Sequence, residues 1–246
     1  MTSRVLVIMP TYNERANLLL LIPALMRHAG VDLLVVDDQS PDGTADLAES
    51  LGREHAGRID VLRRQALRGF GRSYVDGMKR ALGRPYDVLC QMDADLSHDP
   101  AQLPDLIAAI PHADVVIGSR YVSGGSVVNW PRRRRILSRI ANVYIRGVTR
   151  LQVRDCTSGY RCWRREALAA LPLDDFFSDG YSFLVEMLFV AAERGARIAE
   201  VPITFVERRL GESKVSWAVL RESAITPWRL ISRPKLSQKP LSRPPG

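Results

Sequence analysis

The feature that most constrains the fold of this chain is a rhythm running through its first half, in which short aliphatic runs alternate with polar turns and amphipathic stretches. Arg4 to Met9 (RVLVIM) ends at Pro10 and is followed by Thr11-Tyr12-Asn13-Glu14 and an amphipathic stretch to about Ala29, with Asn13 placed to cap it. Asp32 to Asp37 (DLLVVD) is followed by the turn Asp38-Gln39-Ser40-Pro41-Asp42-Gly43-Thr44 and a helix from about Ala45. Ile59 to Leu62 leads through Arg63 to Gly71 into a helix reaching about Leu82, a fourth run starts at Val88, and Asp114 to Gly118 is a fifth. Continuous apolar strands alternating with helices predict a Rossmann-like α/β fold, with a mostly parallel sheet covered by helices on both faces. In such sheets ligands bind at the carboxyl ends of the strands.

The fourth run carries the residues with the clearest chemistry. Read as a strand, Val88 onward alternates so that Asp93 and Asp95 face one point, a pair of hard oxygen donors suited to Mg²⁺ or Mn²⁺ carrying a diphosphate. Asp99 then reads as an N-cap with Pro100 at the first helical position. An Asp-x-Asp alone also fits a turn, so its neighbours have to decide.

The second half is less regular. Val122 to Trp130 reads as a Gly/Ser-containing loop, and Pro131-Arg132-Arg133-Arg134-Arg135 opens a basic amphipathic helix carrying Ile136, Leu137, Ile140, Val143, Tyr144 and Val148. Asp155 to Trp163 (DCTSGYRCW) is polar and unlike a core strand; Tyr181 to Arg194 reads as a buried helix. Arg197 to Val206 is a strand that Pro202 assigns to an edge. Glu207 to Lys214 is a charged loop, and Val215 to Ile231 a C-terminal amphipathic helix. Residues 1–231 thus form one domain and 232–246 a disordered basic tail.

The 35 basic against 27 acidic residues give a net charge of +8, which calls for an anionic partner: nucleic acid, an anionic membrane surface or phosphorylated substrates. No apolar stretch reaches the roughly 20 residues that span a bilayer, and no secretory leader is visible, so a cytoplasmic location is expected. Cys90, Cys156 and Cys162 form no CxxC or metal-ligand spacing and fit a reducing compartment. His98 and Ser158 lie in no catalytic motif and read as structural.

Taken in order, PTYNE, VVDDQSPDGT, MDADLSHDP, GSRY, TSGYR, DGYSF and ERRLGESK make the chain, from about Arg4 to Lys214, resemble the dolichol-phosphate (polyprenol-phosphate) mannose synthases of glycosyltransferase family 2. The resemblance implies a GT-A fold in which Pro10, Tyr12, Glu14, Val36 and Asp38 line a nucleotide pocket. It implies that Asp93 and Asp95 hold the metal, with Ala94 beside the donor and Ser97 completing the shell. Arg120, Arg208 and Lys214 would contact phosphates of donor and acceptor. Relatives commonly carry Gly-Lys before the glycines near residue 69, where this chain has Ala66-Leu67-Arg68, and Arg209-Leu210 also depart from the commonest loop.

The implied reaction is metal-dependent, inverting transfer of mannose from GDP-mannose to a polyprenol phosphate. An acceptor phosphate with a second pKa of about 6 attacks without a protein general base. Asp95, Arg120, Arg208 and Lys214 are then the catalytic set. The lipid would be reached at the cytosolic face of a membrane, by a peripheral protein or one held by a membrane-anchoring subunit, with the helix after Pro131 and the Val215 stretch as docking elements. A glucosyltransferase using UDP-glucose is the alternative within the enzymes. A nucleic-acid module using Arg132 to Arg135 is the alternative from another class; it has no recognised motif and leaves the carboxylate pair without purpose.

Overall fold

Residues 3–207 and 217–233 are described by a computed structural model. The expected rhythm becomes β1 (Val5–Thr11), α1 (Arg15–Met26), β2 (Val31–Asp37), α2 (Thr44–Glu54), β3 (Ile59–Arg63), α3 (Phe70–Leu82) and β4 (Val88–Gln91). A 3₁₀ turn over Pro100–Gln102 leads into α4 (Leu103–Ala109), followed by β5 (Val115–Ser119), β6 (Ser126–Val128), α5 (Arg132–Thr149) and β7 (Arg161–Arg164). The remainder is α6 (Arg165–Ala169), α7 (Gly180–Glu193), β8 (Ile198–Pro202), β9 (Thr204–Val206) and α8 (Trp217–Ser232).

Seven strands form one sheet in the order β3-β2-β1-β4-β7-β5-β8, and β6 pairs with β9 in a separate ribbon. All neighbours in the large sheet run parallel except β7, which is antiparallel to both β4 and β5. Alternate residues of each strand feed the two core layers. Leu6, Ile8, Leu34 and Val36 pack with Tyr74 and Met78 of α3 and Phe183 and Met187 of α7, whereas Val7, Met9, Leu33 and Val35 pack with Leu18 and Ile22 of α1 and Leu103 and Leu106 beyond β4. The three cysteines are free and buried, as small core residues.

Three expectations need correction. β4 ends at Gln91, so Asp93 and Asp95 lie beyond the strand rather than on it. The polar Asp155 to Trp163 stretch does contain a strand, β7, and that strand is central: its side chains are satisfied from inside, as when Trp163 Nε1 donates to Gln91 Oε1 at 2.7 Å. Asn13 does not cap α1; it takes a left-handed φ of 58° and its N–H donates to Ser40 Oγ. On α5 the sequence left open whether the apolar face meets the core or the surroundings: Ile145 is buried in the core, but Ile136, Leu137, Ile140 and Val143 are all more than half exposed. Asp99 behaves as expected, accepting from the Ala101 N–H ahead of the Pro100 turn. β8 sits at the sheet edge, as Pro202 requires. α8 is present but turns Thr226 and Leu230 inward while leaving Ile225, Trp228 and Ile231 outside, so apolar side chains lie on both sides of it. The tail beyond 233 lies outside the described residues.

Gly77 is where α3 meets the sheet: a Cβ there would stand 2.7 Å from Ile8 Cγ2 and 2.8 Å from Val36 Cγ2. Both are stiff β-branched side chains on buried strands, so they cannot swing away. Gly77→Val is therefore expected to lower stability by about 2–3 kcal/mol through overpacking. Gly147→Ala on α5, where an added Cβ meets nothing within 4 Å, should raise it by up to about 1 kcal/mol. Urea denaturation of the two variants checks the opposite signs.

Candidate active site

The loops after β1 and β2 are sewn together at the carboxyl edge. Glu14 N–H donates to Thr44 Oγ1 at 3.1 Å and Arg15 N–H to Asp42 Oδ2 at 3.2 Å. Burial would raise the Asp42 pKa, but hydrogen bonds from Thr44 and the Arg15 N–H bring it below the ordinary carboxylate value. Against this scaffold opens a cleft of about 490 Å³ lined by Pro10, Tyr12, Glu14 and Asp38 on one side and Asp93, Ala94 and Asp95 on the other. Asp38 is nearly buried; Arg64 pairs with one of its oxygens and the Gly69 N–H donates to the other at 3.0 Å.

Beyond β4 the alternation outlasts the ladder: Met92 and Ala94 are buried while Asp93 and Asp95 face outward, and Leu96 closes the turn with a left-handed φ of 64°. Three groups fix Asp93. Tyr74 of α3 donates its hydroxyl to Asp93 Oδ1 at 3.0 Å, His98 Nδ1 accepts the Asp93 N–H at 3.1 Å, and Gly159 leaves room that a Cβ, 3.2 Å from Asp93 Oδ2, would fill. Burial holds Tyr74 neutral, its pKa well above the ordinary value, with the nearby Asp93 pushing the same way. Burial also lowers the His98 pKa against the opposing pull of Asp93. With Nδ1 accepting, the neutral imidazole carries its proton on Nε2. Asp95 is braced from the chain itself, its Oδ1 accepting the Ser97 N–H at 3.1 Å. Two carboxylates with open space in front suit a hard dication that shares its remaining ligands with phosphate oxygens. Among the described residues no third His, Cys, Asp or Glu joins them in a closed metal cluster.

A second cavity, about 320 Å³, shares Asp93, Asp95 and Tyr181 with the first and runs away from it between α5, α7 and α8. Its walls are mainly apolar, including Leu137, Tyr144, Ile145, Leu184, Val185 and Pro227. Arg120 stands at the inner end. Its Nε and Nη2 each donate to Asp155 at 2.7 Å, and Nη2 also reaches Thr157 Oγ1 at 2.7 Å, leaving Nη1 with no hydrogen-bond partner among the described residues. Burial would raise the Asp155 pKa; the Arg120 guanidinium overrides this and holds it below the ordinary carboxylate range. Asp155 and Arg154 backbone N–H groups are in turn held by Glu200.

The sequence profile described as Glycosyl transferase family 2 matches residues 6–171. An undecaprenyl-phosphate mannosyltransferase of Micrococcus luteus is 48% identical over 233 residues, covering 94% of this chain and 96% of that protein. A polyprenol monophosphomannose synthase of Mycolicibacterium smegmatis is 45% identical over 237 residues, covering 94% and 89%. The chain belongs to glycosyltransferase family 2. Its fold is also that of a glucosyl-3-phosphoglycerate synthase from Mycobacterium tuberculosis, solved with Mn²⁺, UDP and phosphoglyceric acid, at a TM-score of 0.71 and 22% identity over 95% of this chain and 80% of that one.

As a family 2 glycosyltransferase the chain brings most of the expected residues together. Pro10, Tyr12, Glu14, Asp38, Asp93, Ala94 and Asp95 line the first cleft. Val36 does not: its side chain is wholly buried beneath α3. Ser97 is buried behind Asp95 and supports it through the backbone. Arg120 lines the second cavity rather than the first. Arg208 and Lys214 lie outside the described residues. Three contributors were not singled out from sequence: Tyr74, Asp155 and Tyr181. Tyr74 sits 19 residues from the carboxylate it holds, so nothing local marks it. Asp155 opens a polar, glycine-bearing stretch, which was the available signal. His98, read as structural, orients Asp93 and lines the second cavity.

Asp155→Asn keeps the shape but strands a buried guanidinium, and is expected to cost about 3–5 kcal/mol in urea unfolding at neutral pH. Thr157→Val removes the hydroxyl that accepts from Arg120 and Asn142 and donates to Asp155, but strands no charge, and should cost about 2 kcal/mol, less than Asp155→Asn.

Proposed function

We propose that this chain transfers mannose from GDP-mannose to a polyprenol monophosphate, with inversion at the anomeric carbon. The observation that carries the reading is the meeting of two unlike cavities at Asp93, Asp95 and Tyr181: one at the strand ends where nucleotides bind, the other long and apolar. The names of the mannosyltransferase relatives agree with it. The donor would lie in the first cleft and the lipid phosphate would enter through the second.

Asp93 and Asp95 would hold Mg²⁺ or Mn²⁺ on the diphosphate, and the chemistry supplied by the bound ion is charge neutralisation of the leaving group. Tyr74 and His98 orient Asp93. Arg120, anchored by Asp155, presents Nη1 toward the acceptor phosphate, and we assign the donor and acceptor phosphates to Arg208 and Lys214 as well. No base is needed, because the acceptor oxygen is already anionic near neutral pH. In keeping with this, Asp93 and Asp95 are the only acidic side chains among the described residues lining the apolar cavity. Rate enhancement then comes from orientation and fixed charge.

No described helix is long and apolar enough to cross a membrane. We assign the outer face of α5 and α8 to an anionic lipid surface. Ile136, Leu137, Ile140 and Val143 are exposed on α5, with Ile225, Trp228 and Ile231 on α8, and Leu137 and Pro227 at the same time line the apolar cavity. Arg132, Arg133, Arg139 and Arg146 surround the stripe with cations. A lipid acceptor could then pass from bilayer to site without crossing water.

Two measurements test these readings. Incubation with radiolabelled GDP-mannose and a short polyprenyl phosphate should give a lipid-linked product that requires a divalent ion, with Asp95→Ala lowering the rate at least about 100-fold. Product from UDP-glucose but not GDP-mannose would move the donor assignment to glucose. Vesicles containing phosphatidylglycerol should retain the protein at low salt, and Ile140→Asp should release it; equal retention of the variant counts against the assigned face.

A further inference from the structure

We propose that Arg68 reads the base of the donor nucleotide and makes the cleft favour guanine over uracil; the inference rests on the donor assignment made above. Arg68 belongs to the loop between β3 and α3, and its guanidinium carbon lies 3.5 Å from the centre of the Tyr12 ring. It is the one basic side chain among the described residues lining a cleft that also holds Glu14, Asp38, Asp93 and Asp95. The loop backbone is tied down: Gln39 Nε2 donates to the Ala66 carbonyl at 2.7 Å and Arg72 Nη1 to the Arg68 carbonyl at 3.0 Å. The guanidinium itself makes no hydrogen bond to a described residue, so stacking on Tyr12 orients it while its N–H groups stay available.

Sheet order decides which part of the donor it meets. Along the carboxyl edge the strands run β3, β2, β1, β4, and Arg68 reaches from the β3–α3 loop across to Tyr12 beyond β1, so its guanidinium stands at the Tyr12 wall of the cleft whose other wall is the Asp93–Asp95 turn beyond β4. A nucleoside diphosphate with its phosphates at Asp93 and Asp95 would extend along this cleft and bring its base to Tyr12 and the Arg68 guanidinium. Guanine offers a guanidinium two neighbouring acceptors, O6 and N7, in bidentate geometry, whereas uracil offers only the single O4 on the corresponding edge.

Calorimetric titration of the full chain with GDP, inosine diphosphate, 7-deaza-GDP and UDP tests this. Arg68 is exposed, so its variants should fold, which a melting curve verifies. Arg68→Ala is expected to weaken GDP and inosine diphosphate roughly 10- to 100-fold and UDP hardly at all. Arg68→Lys keeps the charge but not the fork and should also fail to restore GDP binding. The penalty for 7-deaza-GDP relative to GDP should be present in the wild type and absent in Arg68→Ala. Equal losses for GDP and UDP, with the wild type still preferring GDP, would mean a contact to phosphate or ribose and overturn the role of Arg68 while leaving the donor assignment standing. A wild-type preference for UDP overturns both.

Discussion

Two opposite charges taken out of water repay their desolvation only when geometry is good and the remaining hydrogen-bonding groups are met. The Arg120–Asp155 pair satisfies both conditions: it is bidentate, the Arg120 N–H adds a third bond at 3.0 Å, and Asp155 is wholly buried. The pair joins the end of β5 to the loop entering β7. On one side Asn142 of α5 is drawn in, its Oδ1 accepting the Cys156 N–H at 2.7 Å. On the other, Arg161 spends its guanidinium on the carbonyls of Cys156, Ser158 and Leu184, tying the same loop to α7. Burial lowers the Arg161 pKa to about 10, so it still carries its charge at neutral pH. A single polar knot therefore sets the distance between the sheet edge and both long walls of the apolar cavity.

That knot sits where it does because β7 runs backward. An added parallel strand would present its carboxyl end at the active edge, but antiparallel β7 presents its amino end, with Arg161 opposite Gln91 at the end of β4. The loop 155–160 is thereby delivered beside Asp93, with Gly159 facing its carboxylate. A Cβ there would crowd the carboxylate, so the close approach depends on glycine. The parallel half of the sheet builds the nucleotide-type cleft and the reversed strand brings up a second wall.

The parallel half was legible because its strands are apolar on both faces and its turns are chemically marked. Asp93 and Asp95 were legible for a different reason than their residue pattern suggested: in-out alternation survives the end of β4 because Met92 and Ala94 are still buried beneath them. β7 was not legible. Arg161 and Arg164 flank Cys162 and Trp163, and a sequence pattern cannot show that Arg161 is fully buried and satisfied by three carbonyls. The outward apolar stripe of α5 was equally undecided, since a helix with one apolar stripe looks the same whether that stripe meets a core or a membrane.

The exposed stripe and the polar knot belong to one arrangement. Asn142, Ile145 and Thr149 of α5 are buried toward Asp155 and α7, while Ile136, Ile140 and Val143, on another side of the same helix, are left outside. The inward contacts fix the helix's rotation, and that rotation leaves Ile136, Ile140 and Val143 outward. A water-soluble domain gains nothing from this, since exposed apolar area of that kind invites association. On the proposed function it is what a transferase needs when one substrate is a dissolved anion and the other an anion on a hydrocarbon chain. The lipid's phosphate must reach Arg120 while its chain stays out of water, and a helix apolar on its outer face and bordering the cavity meets both demands.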